Sequence, residues 1–175
     1  MKRYIIMIMI CIGLICANFS FAQESGRWRT GLDAGIRVIP KYIGFLGAIE
    51  LKYNLRSDMN IGLRVENMYF QNNQSDDGRL LSFYMTYDYY LNNARSQYSP
   101  FIGVGLGYYF CDAQYFTNDI TYNNPTCLFR IGFEFWKLRT SLTYAVVRTN
   151  ETIFYNKHKD YISLTVGCFL GGGKR

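Results

Sequence analysis

The residues with catalytic potential are few. His158 is the single histidine of the chain, and Asp160 and Ser163 stand close behind it. A serine, an imidazole and a carboxylate can do acyl-transfer chemistry, the imidazole taking the hydroxyl proton and the carboxylate orienting the ring. Here the alternation of the flanking residues puts Ser163 inside an extended segment and His158 in a loop, so the spacing does not itself assemble the three. A solvated loop histidine is the simpler reading. One histidine with scattered cysteines makes a poor metal site. Gly103, Gly105 and Gly107 recur at every second position and precede no helix, which excludes a phosphate loop. No catalytic, cofactor-binding or metal-binding role is assigned to any residue, and the chain is not expected to be an enzyme.

A second constellation is electrostatic. Arg29, Arg37, Lys52, Arg64, Arg130 and Arg139 are positive, and Asp33, Glu50, Glu66, Asp88 and Glu134 are negative. Nearly balanced signs are what a closed, low-dielectric space demands. The set reads either as a charge-lined ion path or as a paired, water-poor plug, and in a narrow enclosure the plug is favoured. Arg29 and Arg37 are expected near its wet rims. Cys111 and Cys127 bracket a polar connection, where a bridge would stabilise by about 3 kcal/mol through loop closure. Parity points them to opposite faces, so a bond needs a bulge or a departure of the loop, and the bridge is not favoured. Cys168 reads as a small apolar residue on the outward face.

These residues must be positioned by strands, because period-two alternation runs through the chain. The clearest stretch is Pro100 to Phe110. Ile102, Val104, Leu106, Tyr108 and Phe110 share one face, and Phe101, Gly103, Gly105, Gly107 and Tyr109 share the other. Seven further segments repeat the pattern, at about 28–38, 44–53, 59–69, 80–90, 126–135, 138–147 and 161–170. Each has roughly the length of a tilted membrane-crossing strand. Short connections at 54–58, 92–99 and 136–137 alternate with polar ones at 71–79, 112–125 and 149–160, the connection at 39–43 being short as well. That is the asymmetry of periplasmic turns and outer loops, and an even strand count puts both termini in the periplasm.

Residues 1–22 combine a basic start at Lys2 and Arg3, an apolar run and the small residues Ser20 and Ala22, which predicts a cleaved signal peptide. Cys11 and Cys16 leave with it. Residues 23–175 then form one domain, and losing Lys2 and Arg3 lowers the formal charge of +6 to about +4. That mild, scattered excess does not argue for nucleic acid. No stretch after Ala22 is long and apolar enough for a membrane helix, so any span must be built from strands. Abundant Tyr and Phe with only 3 prolines suit aromatic girdles.

A soluble lipocalin-like barrel could alternate in the opposite sense. Volume argues against it: the apolar set is bulky throughout, whereas the charged set carries Gly31, Gly35, Gly62, Gly103, Gly105, Gly107, Gly132 and Gly167. A lumen that holds Arg and Glu needs the space glycine leaves, and bulky residues can spread outward into lipid. The fold class expected is all-β, an eight-stranded antiparallel up-and-down transmembrane β-barrel.

Three stretches carry a family resemblance: Pro100 to Tyr109, Tyr53-Asn54-Leu55, and the tail Leu164 to Gly173 with Thr165, Gly167 and Leu170. The chain resembles the small outer-membrane β-barrel family of OmpX-like proteins and the OmpA membrane domain. The tail is similar to the assembly signal that ends such barrels, although Gly171 to Arg175 follow where the family often ends on an aromatic residue. The resemblance implies an outer-membrane location, recognition by the barrel-assembly machinery and, for some relatives, lipid-modifying activity.

The function expected is a structural or surface-interaction role through the outer loops, with a plugged lumen and a monomeric state. Partners are outer-membrane lipid, the assembly machinery and an unidentified extracellular ligand. A narrow channel and a lipid-modifying enzyme are the alternatives. The turns also predict a register: Phe135 opposite Leu138, Glu134 opposite Arg139, Asn54 opposite Asn60 and Glu50 beside Arg64, with Glu134 and Arg139 both pointing inward.

Overall fold

The computed structural model describes residues 25–39, 42–71, 77–91, 98–115, 118–147 and 160–171. The segment read as a signal peptide and the loop carrying His158 lie outside them. Eight strands form: β1 (Trp28–Ile39), β2 (Tyr42–Arg56), β3 (Met59–Gln71), β4 (Asp77–Tyr90), β5 (Tyr98–Tyr115), β6 (Asn118–Phe135), β7 (Leu138–Val147) and β8 (Tyr161–Gly171). Each pairs antiparallel with the next, and β8 pairs back onto β1 from Arg29↔Gly171 to Val38↔Ile162. The sheet is a closed up-and-down barrel with no free edge along the paired wall.

Burial alternates residue by residue, and its sense is inverted relative to a soluble protein. All eleven charged residues of the sequence constellation are buried, whereas Phe45 is 80% and Leu106 68% exposed. Apolar surface on that scale is stable only against lipid. Bands of aromatic rings mark the short-turn end. Tyr98 stacks on Phe135 at 4.8 Å, Phe135 on Trp136 at 5.6 Å, and Trp28 meets Tyr53 at 5.0 Å.

The turn register follows the sequence reading. Phe135 pairs with Leu138 and Glu134 with Arg139 across Trp136-Lys137. Trp136 takes a positive φ of 56°, a conformation that primed hairpin turns require and that bulky residues seldom adopt. Asn54 pairs with Asn60 and Glu50 with Arg64, the register shifting only between Asn54 and Arg56.

Two of the polar connections, 71–79 and 112–125, are shorter than the sequence suggests. Most of 112–125 is paired strand, since β5 and β6 stay in register from Tyr108↔Pro125 to Tyr115↔Asn118. β4 reaches β5 only up to Gly78↔Ala113, and β7 reaches β6 only up to Val147↔Thr126. Among the described residues the β5–β6 hairpin therefore extends beyond its neighbours. The stretch is rich in Asn, Asp and Thr and carries Pro125, a turn-type composition that reads as a loop, although the backbone ladder continues.

Candidate functional site

The barrel interior holds the concentration of chemistry, and it is filled in three tiers. The floor, at the short-turn end, is aromatic. Tyr90 lies 5.6 Å from Phe101, ring centre to ring centre, and Phe169 supports the Arg29 guanidinium at 4.3 Å. Arg29 pairs with Glu134 at 2.9 Å, and the Tyr90 hydroxyl donates to the same carboxylate at 2.7 Å.

The middle tier is a continuous ion network. Glu50 accepts from Arg130 at 2.6 Å, Arg139 at 2.9 Å and Arg64 at 3.3 Å, and Thr86 donates its hydroxyl at 2.8 Å. Asp88 accepts from Arg130 at 2.7 Å, from Arg139 at 3.3 Å and from Lys52. Arg64 also holds Asp33, and Glu66 at 2.8 Å. Lys52 and Arg139 press down onto the floor, Arg139 sitting 4.2 Å above Phe101 and Lys52 4.9 Å from Phe169. Glycine makes the room. A Cβ on Gly103 would stand 2.1 Å from the Asp88 carboxylate and 2.8 Å from the Arg130 side chain.

The roof is a cluster of Leu46, Met68, Leu80, Tyr84, Tyr109, Leu128, Ala145 and Tyr161. Arg37 passes beneath it, stacked 3.8 Å from the Tyr161 ring and paired with Glu66. The Tyr84 and Tyr161 hydroxyls bond to each other, and Tyr161 donates to Glu66 at 3.4 Å.

The structure thus brings Arg29, Asp33, Arg37, Glu50, Lys52, Arg64, Glu66, Asp88, Arg130, Glu134 and Arg139 into one interior. Two details differ from expectation. Arg29 and Arg37 are 4% and 0% exposed, because the aromatic floor and the apolar roof seal the space beyond them. Glu134 and Arg139 face each other in the ladder, but Glu134 turns to Arg29 while Arg139 reaches Glu50 and Asp88 across the lumen. The sequence reading assigned no role to Leu46, Met68, Leu80, Leu128 or Tyr161. Their inward parity was available, since Leu46 shares a face with Glu50 and Lys52.

Ser163 is buried inside the barrel, one side of its environment being Arg37 on the paired strand. Asp160 lies apart from it, accepting the Tyr144 hydroxyl at 2.6 Å. His158 is outside the described residues, so no triad can be built from them. Cys127 is a free, exposed thiol on the outer face. The ladder sets it opposite Leu106 and sets Cys111 opposite Tyr122, several residues away and beyond the reach of a disulfide. Cys168 has outward parity but is nearly covered, flanked by Leu32 and Leu138 on the paired strands. Among the described residues no group of three His, Cys, Asp or Glu could hold a metal ion.

No protein-family model matches this chain, and neither does any curated protein. Solved structures do. Neisserial surface protein A superposes with a TM-score of 0.68 at 15% identity, over 83% of this chain and 97% of that one. The N-terminal β-barrel domain of Pseudomonas aeruginosa OprF gives 0.58 at 12%, over 85% and 100%. The fold is that of the small outer-membrane β-barrels. The same fold serves the outer membrane enzyme PagL, with a TM-score of 0.58 at 14% identity over 79% and 98%. One architecture therefore carries both enzymatic and other roles, and function has to be argued from the site.

Proposed function

We propose that this chain is an integral outer-membrane barrel, exported by a cleaved signal peptide spanning residues 1–22, monomeric, and closed to ions. Its short turns and both termini face the periplasm, and the opposite end, with the projecting β5–β6 hairpin, meets partners outside the cell. The observation that carries this reading is the filled interior: an aromatic floor, an interlocked ion network and an apolar roof. An ion would have to displace both seals and compete with paired charges in low dielectric, which is costly. The lumen then contributes stability, leaving the exterior and the outer end to do the work.

Two observations weigh against the other roles. Ser163 points into the sealed interior, where a lipid substrate has no access. Arg64, Arg130 and Arg139 each grip more than one carboxylate, which suits a fixed plug better than a path. Planar-bilayer recording of the purified barrel, paired with outer-membrane fractionation of expressing cells, tests the proposal. The expected result is fractionation with the outer membrane and no steady unit conductance. Long-lived ohmic openings of reproducible size would instead establish a channel.

A further inference from the structure

Six cations and five carboxylates face the interior, which leaves one positive charge over. Every inward strand position between the floor and the roof is described, so no undescribed strand side chain supplies a countercharge there. Hydrogen bonding shows the same bias. Arg37 Nε and Nη1, Arg64 Nη2, Arg130 Nη1 and Arg139 Nε are buried donors without an acceptor. Among the interior carboxylates only Asp33 keeps an oxygen without a donor, and that oxygen is turned against Gly167. A buried charge left uncompensated is costly, and so is a buried donor left unpaired.

Two of those arginines belong to one ladder row. Arg130 pairs with Thr143, Thr143 with Ser163 and Ser163 with Arg37, crossing β6, β7, β8 and β1. All four are inward and buried, and the Ser163 hydroxyl also lacks a partner. Two long cationic side chains thus flank two short hydroxyl side chains. The next row toward the short turns holds Ser141, Thr165 and Gly35, so this stretch of inner wall carries small residues only. Arg130 bonds Asp88 and Glu50 through Nε and Nη2, and Arg37 bonds Glu66 through Nη2, which leaves their other nitrogens to a further acceptor. Water could meet them, but it donates as many protons as it accepts and carries no charge. A small anion only accepts, and it cancels the surplus.

We infer that this row binds one monovalent anion of halide size, held by Arg37, Arg130 and the Ser163 hydroxyl. The anion balances the interior charge and ties β6, β7, β8 and β1 together beneath the roof. It is enclosed as the barrel closes and does not pass through. The inference rests on the sealed lumen proposed above.

The test refolds the full mature barrel into lipid vesicles in mixtures of sodium bromide and sodium gluconate at constant ionic strength, gluconate being too large to be enclosed. Urea unfolding then reads bromide linkage. Once the site is saturated, the unfolding equilibrium constant of the parent should fall about tenfold for each tenfold rise in bromide, the signature of one ion released on unfolding. Crystals grown in bromide should show one anomalous peak between Arg37 and Arg130. Ser163→Ala keeps the charges and should raise the bromide needed about tenfold, the loss of one charge-assisted hydrogen bond. Arg37→Met should abolish both the linkage and the peak; if it does not fold, the parent and Ser163→Ala still decide. A parent whose stability ignores bromide would overturn the inference. So would water alone in the row, or bromide on the surface and an adventitious ion only. Failure of the sealed-lumen reading looks different: it shows as steady conductance in planar bilayers, which the bromide linkage does not measure.

Discussion

Glu50 is the residue on which the interior network converges, and Glu50→Gln isolates its charge from its shape. The wild-type carboxylate is fully buried and sits against Arg130, Arg139, Arg64 and, at 3.7 Å, Lys52. Glutamine keeps the volume and can still meet Thr86, but it leaves those cations with less countercharge than they now share. Removing one partner of a buried pair costs about 3 to 5 kcal/mol. That is a large part of the roughly 5–15 kcal/mol that holds a typical domain together. Arg56→Ala is the control, since its pair with Asp58 at 3.3 Å leaves the arginine side chain 69% exposed. A pair of that kind is worth about 0 to 1 kcal/mol. Urea unfolding in lipid vesicles, followed by tryptophan emission, measures both. The only two tryptophans are both exposed, Trp28 at the start of β1 and Trp136 in the β6–β7 turn, and both report leaving the short-turn interface. Adding Lys52→Met to Glu50→Gln removes one cation from the same cluster and should recover part of the loss. If Glu50→Gln matches Arg56→Ala, or if Lys52→Met deepens the defect, the network does not stabilise the barrel as argued.

Two further substitutions test the walls on either side. Val104→Arg places a charge on the outer face near mid-strand and should reduce insertion into liposomes, at a cost of about 2 to 4 kcal/mol, read from heat-modifiable gel mobility; normal folding would reverse the face assignment. Gly103→Leu, one residue away, should fail differently, by driving its side chain into Asp88 and Arg130. Gly47→Leu, pointing outward, should change urea stability by no more than about 0.5 kcal/mol, and comparable losses at Gly103 and Gly47 would show that lumen crowding is not what the inward glycines relieve.

The architecture was legible because two independent regularities in the sequence agree. Side-chain alternation marks each membrane-crossing segment, and most strand glycines, Gly47 excepted, fall on the face that also carries charge. Gly103 shows why the second regularity decides between folds. With the apolar face inward, its missing side chain would lie outside and serve nothing; with the charged face inward, it leaves the space that Asp88 and Arg130 occupy. Composition misled over 112–125, where Asn, Asp, Thr and Pro125 signal a turn although Cys111, Ala113 and Tyr115 still alternate with Asp112 and Gln114. So the upper parts of β5 and β6 looked like a loop although their backbones pair up to Tyr115↔Asn118.

The interior was legible in membership but only partly in pairing, for a geometric reason. A ladder fixes which Cα atoms are neighbours, and it located Glu50 beside Arg64. Long side chains in a barrel this narrow are not confined to their ladder partners. Arg139 spans the lumen to Glu50 and Asp88 although Glu134 lies opposite it, because Glu134 is already engaged by Arg29 and Tyr90. Parity settles which way a side chain points; the competition among all inward groups settles what it touches. The same competition explains the dry rims. Once Leu46, Met68 and Leu80 fill the upper lumen and Phe101 and Phe169 the lower, Arg37 and Arg29 lose water and must find partners inside. Charges near the ends of a barrel are therefore wet only where the adjoining inward residues are small or polar, and here those residues are large and apolar.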